Sequence, residues 1–139
     1  MIGFGSGIFF SQAFINYNLR MHQFKKFKVW EMSMELTTAV YDVTKKFPRE
    51  ETYGLSQQLR RAVVSIPSNI AEGAYRNSNK EFNQFLGISS GSAGEVFTQL
   101  EIAKRLGYLD QDLAHQLMAK SESIKRMIFN FQKHLKTVK

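Results

Sequence analysis

Few residues in this chain are of a type and spacing that could do chemistry. Asp112-Leu113-Ala114-His115 places a carboxylate and an imidazole three residues apart, as in helical bundles that hold two metal ions. That chemistry needs two such pairs and two further carboxylates, all projecting into the core. This sequence has one pair, and with Leu113 and Leu117 turned inward His115 falls on the outer side of the same helical wheel. Glu31 and Glu35 are neighbours one helical turn apart, but beside Lys28 they read as a solvated charged face. His22 and His134 stand alone. With no cysteine, thiolate ligands and nucleophiles are excluded. No phosphate-cradling glycine loop, G-x-S-x-G or H-E-x-x-H occurs. The expectation is a protein without catalytic residues, metal or cofactor.

Positive charge is the stronger signal. The 139 residues carry 19 Lys+Arg against 12 Asp+Glu, a surplus of seven. Lys125, Arg126, Lys133 and Lys136 share one outer arc of a C-terminal helix, and Arg76 and Lys80 follow a central one. Such side chains bind phosphate with an affinity that falls steeply with salt. These six are the candidate nucleic-acid contacts, the fourth-helix four first. The plainer reading is that long basic side chains only solvate the outside of a bundle. No recognition-helix or base-stacking signature accompanies them.

Helices must position these groups. Apolar residues recurring at threes and fours predict helices over 28–46, 52–74, 78–106 and 110–137. The core stripes are Val29, Leu36, Val40, Val43 and Phe47; Leu55, Leu59, Ala62, Val63, Ile66 and Ile70; Phe82, Phe85, Leu86, Ser89, Ala93, Val96, Leu100 and Ala103; and Leu113, Leu117, Ile124, Met127, Ile128, Phe131, Leu135 and Val138. Ser78-Asn79-Lys80-Glu81 is a capping box, Asp110 an N-cap, and Gly107 with Tyr108 a helix exit. Pro67 predicts a kink in the second helix, or a break near Ser65. No window alternates at period two as a strand would. The fold expected over 24–139 is all-α, an antiparallel up-down four-helix bundle.

Two faces exceed the needs of one bundle. Trp30, Met34 and Tyr41 make a second stripe on the first helix, and Gly87, Ser90, Gly91, Gly94 and Thr98 a flat face on the third. Glycine inside a helix costs about 0.5–1 kcal/mol against alanine, so these need a packing reason. Two remain open: close approach of helices within one bundle, or the helix of another subunit, with the Trp30 stripe contributing.

The first 23 residues stand apart, with three glycines, four phenylalanines and one formal charge, Arg20. A secretory signal would put its basic residues first and keep its apolar run clean. The expectation is an N-terminal extension that is disordered or annotated too early, with Met21 the favoured initiator. No apolar run reaches the ~20 residues that cross a bilayer, so no membrane partner is expected. Absence of cysteine is ordinary for a cytoplasmic protein, the location expected.

Phe27-Lys28-Val29-Trp30, Tyr53-Gly54-Leu55 and the string from Gln58-Leu59-Arg60-Arg61 through Ser65-Ile66-Pro67-Ser68-Asn69 to Glu72-Gly73 resemble a bacterial four-helix-bundle family. Its members are encoded in intervening sequences of large-subunit ribosomal RNA genes. Gly91-Ser92-Ala93-Gly94-Glu95 and Leu106-Gly107-Tyr108-Leu109 agree with that family, and the likeness runs from about Phe24 to the C-terminus. It implies a ring-like homopentamer. It also implies kinship with the accessory variability protein of diversity-generating retroelements, a basic pentamer thought to bind nucleic acid and a reverse transcriptase. The signature itself reads as structural. Ser65, Ser68 and Asn69 can satisfy carbonyls freed by Pro67, Gly73 permits a left-handed exit, and Arg61 and Glu72 can pair within or between subunits. Arg60 and Arg61 are expected to serve structure through carboxylates, with phosphate contact the alternative. The function expected is a non-catalytic oligomeric accessory protein that binds RNA or DNA without sequence preference. The alternative is a protein-binding scaffold with no nucleic-acid role.

Overall fold

Four helices follow the capping and periodic signals closely. The computed structural model describes residues 3–4 and 8–9 as backbone, and 23–137 in full. A 3-10 turn, Phe24–Lys26, leads into α1 (Lys28–Thr44), and a second, Arg49–Glu51, precedes α2 (Leu55–Ala74). Next come α3 (Asn79–Arg105) and α4 (Gln111–Thr137). Ser78 Oγ accepts from the Glu81 N–H at 3.1 Å, and Asp110 Oδ2 from those of Asp112 and Leu113. Gly107, at φ 77°, turns the chain out of α3. The second helix starts at Leu55 rather than 52, because Arg49–Glu51 and the turn to Gly54 take up the connection. The expected disorder of the N-terminal segment and the favoured start at Met21 fall on residues 1–2, 5–7 and 10–22, which lie outside the described residues. Within it, Gly3–Phe4 (β1) pairs antiparallel with Ile8–Phe9 (β2). The period-two search finds no strand there because two residues are too few to alternate.

Each helix packs on two neighbours: α1 on α2 and α4, α3 on α2 and α4. The contacts run in opposite senses along each pair. Thr44 meets Arg60 and Thr37 meets Val63; Ser65 meets Ser92 and Gly73 meets Phe82; Ala93 meets Ser121 and Asn83 meets Gln132. Leu36, Leu59, Ile66, Ile70, Phe82, Leu86, Leu100, Ile124 and Ile128 are fully buried. Leu113 departs from its expected place: it is 37% exposed, and Ala114 turns inward instead. The helix period shared with Leu117 and Met118 is met by either residue, and the smaller one fits beside the α3–α4 turn. Phe85, Met127 and Phe131 are half-buried rather than buried.

Pro67 causes no break; α2 runs through it as one helix. Proline lacks the N–H that would meet the Val63 carbonyl. Thr37 Oγ1 of α1, whose one proton lies between two carbonyls, reaches that of Val63 at 3.3 Å as the longer branch of a bond shared with the Ser33 carbonyl at 2.7 Å. The sequence reading gave this task to Ser65, Ser68 and Asn69. Instead Asn69 Nδ2 donates to the Ser65 carbonyl at 2.8 Å, Ser89 Oγ of α3 donates to the Ile66 carbonyl at 2.9 Å, and the Ser65 and Ser92 hydroxyls share a bond. A line of small polar contacts thus holds α2 to both neighbours where its own ladder is interrupted.

Gly73 also changes role. It is helical and buried, and a Cβ there would lie 2.8 Å from both Phe82 Cδ1 and Phe85 Cβ. It lets α2 and α3 touch, rather than turning the chain left-handed.

Candidate nucleic-acid interface

The outer arc of α4 carries Lys125, Arg126, Lys133 and Lys136. Lys125 is half-buried and the other three are exposed. At ~100° per residue they span about a quarter of the wheel, and Phe129 falls in its middle. Phe129 is 59% exposed, and Lys133 Nζ sits 5.5 Å from its ring centroid. Arg126 donates to Ser123 Oγ at 3.0 Å. Among the described residues none of these four cations pairs with a carboxylate, whereas Lys45, Arg76, Lys104, Arg105 and Lys120 all do.

Beside this arc lies the small-residue face of α3. A methyl added at Gly91 meets nothing within 4 Å. At Gly87 it meets only Gln132 Nε2 at 3.8 Å, and at Gly94 only Lys125 Nζ at 4.0 Å. Close approach of helices within one bundle therefore does not explain these glycines. They face outward as an open floor walled by α4. An open cleft of about 440 Å³ lies along that wall, lined by Ser90, Glu122, Lys125, Arg126, Phe129 and Asn130.

The second pair of candidate contacts divides. Lys80 is exposed at the head of α3. Arg76 is engaged, bonded to Glu72 at 2.6 Å and lying 4.8 Å over the Phe85 ring. That bond also corrects the expected Arg61–Glu72 pair within the chain. Eleven residues along one helix set those two about 16 Å apart, while Arg76 is one turn from Glu72. Arg60 does serve structure, though through a hydroxyl and a ring rather than a carboxylate. Its Nε donates to Thr44 Oγ1 at 2.8 Å and its guanidinium lies 4.7 Å over Tyr41. Arg61 stays exposed.

The Trp30 stripe is partly used within the chain. Trp30 is half-buried against the edge of Phe24 at 5.5 Å, while Met34 and Tyr41 remain exposed. Tyr41 joins Tyr53, Arg61 and Val64 in a second open patch, where Tyr53 is 87% exposed. His115 is exposed, with Nε2 3.5 Å from Lys104 Nζ. Among the described residues no three His, Asp or Glu converge as a metal site, and no helix is long and apolar enough to cross a membrane.

With this geometry in place, the profile of the 23S rRNA-intervening sequence proteins matches residues 25–130, most of the chain. The chain belongs to that family. Its fold is similar to a crystal structure from Bacteroides thetaiotaomicron, described as a protein of unknown function from the S23 ribosomal protein family. The TM-score is 0.71 at 24% identity, covering 76% of this chain and 98% of the other. No curated protein matches. The matched range includes the string from Gln58 to Gly73, whose residues form the α2 seam described above.

Sequence reasoning missed Phe129. The signal was present: an aromatic residue lies off the core stripe and in the middle of the basic arc. The same test of an apolar residue on the wrong face had already singled out Met34 and Tyr41.

Proposed function

We propose that this chain is a non-catalytic, oligomeric accessory protein of the cytoplasm that binds RNA or DNA with little sequence preference. The observation that supports it most is the arc itself: Lys125, Arg126, Lys133 and Lys136 gather on one side of α4 around the exposed Phe129, and none has a carboxylate partner among the described residues. Unpaired cations on one arc can neutralise phosphate without first breaking an ion pair.

Assembly follows from the two outward faces. Met34 and Tyr41 lie on α1 and the glycines on α3, and these helices do not touch across the bundle. A copy that seats its α1 face on the next copy's α3 face makes a head-to-tail contact, and such contacts form a ring where the rotation between copies closes. A pentamer, the state the family resemblance implies, would carry five times seven, or 35, surplus positive charges. Arrayed weak sites then gain avidity on a long polyanion.

The test replaces all four arc residues with glutamine. Four phosphate contacts at about 0.7–0.9 each should lower the slope of log affinity against log salt by roughly 3, with helical content unchanged. Failure of the intact protein to retain RNA or DNA at about 50 mM salt, or salt-insensitive retention, would overturn the reading. A second reading, a protein-binding scaffold, is favoured by the patch of Tyr41, Tyr53, Arg61 and Val64, since exposed tyrosine and arginine are typical interface anchors. A reverse transcriptase is one partner of that class. Capture of a protein partner by Tyr53→Ala as well as by wild type would remove its support.

A further inference from the structure

We propose that the polyanion held on α4 is single-stranded, with Phe129 stacking on an unpaired base while Lys125, Arg126 and Lys133 meet the flanking phosphates. This rests on the nucleic-acid reading above and adds the form of the strand. Three observations carry it. Phe129 is a large apolar side chain left 59% exposed among cations one turn away on either side, at positions 125, 126 and 133. Lys133 Nζ lies over one face of the ring, 5.5 Å from its centroid, which leaves the other face for a base and keeps the charge within reach of the flanking phosphate. The adjoining cleft of about 440 Å³ offers the Ser90 hydroxyl and the Asn130 amide to a base edge or sugar. That volume falls in the range of ligand clefts, ~300–1,000 Å³.

Glu122 lines the same cleft and opposes a phosphate placed beside it. It also supplies an acceptor for a base amino group, which a double strand keeps paired. In a duplex both faces of each base are covered by neighbours, so an aromatic ring finds no platform without unstacking them. A single strand exposes its bases, and aromatic–base stacking tolerates any sequence.

The experiment uses the full chain with a mixed-sequence 20-mer, single-stranded or annealed to its complement, at several salt concentrations. Wild type should bind the single strand more tightly. Phe129→Ala should weaken single-strand binding by roughly 5- to 100-fold, leave duplex binding within about twofold and leave the salt slope unchanged, since no charge is removed. Phe129→Trp should hold or tighten the single strand. Circular dichroism and light scattering should show the same helical content and assembly mass in all three proteins. Equal weakening on single strand and duplex, or none on either, overturns stacking while the basic-face reading survives. A changed assembly mass in Phe129→Ala also overturns it, because the ring would then be a subunit contact. If wild type binds neither strand form, the nucleic-acid reading itself fails, and stacking with it.

Discussion

Gly73 on α2 and Gly91 on α3 are both interior helical glycines, and they face opposite worlds. At Gly73 a missing Cβ lets Phe82 and Phe85 come within 2.8 Å of where that atom would be. At Gly91 the missing Cβ leaves empty space. Each glycine costs its helix about 0.5–1 kcal/mol against alanine. The contact that offsets this cost at Gly73 is in the same chain. At Gly87, Gly91 and Gly94 no such contact exists within one bundle, so a sum of about 1.5–3 kcal/mol is offset by nothing in the chain. The seam around Gly73 is finished in the monomer, and the α3–α4 groove is not.

The sharpest way to break this comparison is to fill both places. Gly73→Leu forces a branched side chain against two phenylalanines and should abolish the cooperative urea transition. Gly73→Ala should lower stability by about 1–2 kcal/mol, since overpacking of ~1–3 outweighs the gain in helix propensity. Gly91→Ala should do the reverse, adding about 0.5–1 kcal/mol and raising the melting temperature by a few degrees. Gly91→Leu should keep helical content and lower the assembly mass seen by light scattering. If Gly91→Leu unfolds the chain instead, the groove is an internal contact and the two regions are alike.

The difference between the regions also decides what sequence could reveal. Helix positions, caps and most of the core follow from spacing alone, because an apolar stripe at the helix period has only one inside. Leu113 escapes this rule since Leu113 and Ala114 both keep register with Leu117 and Met118, and only the packing near the turn chooses between them. The role of Gly73 is hidden for another reason. A glycine near a helix end reads as an exit, and its contact with Phe82 and Phe85 lies on the next helix. Likewise the partner of the Val63 carbonyl is Thr37, 26 residues earlier, beyond any local pattern. For the groove, each half was legible: the glycines from their number, the cations from their arc. That they adjoin was not, because it depends on how α3 and α4 rotate against each other.

A smaller effect sharpens the finished side of the comparison. Thr37→Val removes the hydroxyl that serves the Val63 carbonyl and should cost about 1–2 kcal/mol. Pro67→Ala returns an N–H to the same carbonyl. In that background the Thr37→Val cost should shrink, and the double-mutant cycle by urea denaturation should show a coupling of about 0.5 kcal/mol or more. Additive effects would mean that Thr37 acts only through its shorter contact, to the Ser33 carbonyl at 2.7 Å.

The smallest effects are in pH, and they separate the paired charges at the C-terminal end of α3 from the unpaired arc of α4. Hydrogen bonds from Lys104 and Arg105, at 2.7 and 3.1 Å, hold the Glu101 carboxyl below the usual range. A depressed folded value means that the unfolded chain binds the proton more readily. The stability it contributes is therefore present above the ordinary carboxylate range and is lost as pH falls through the folded value. Tyr108 is opposite in sign: burial, then the Glu51 and Glu50 carboxylates, push its hydroxyl above the ordinary tyrosine value. Its contribution is full below about pH 10 and is lost as pH rises through the folded value. Tyr108→Phe keeps the ring against Phe47, at 5.6 Å, and should flatten the alkaline limb of a stability–pH curve. Glu101→Gln should remove a shallow step from the acid limb, in keeping with a pair at the surface. The glutamine variants of the α4 arc should leave both limbs where they are, because those cations have no carboxylate to lose. An acid limb that moves with Lys125 or Lys133 would show that the arc is paired in solution, and the contrast that supports phosphate binding would be gone.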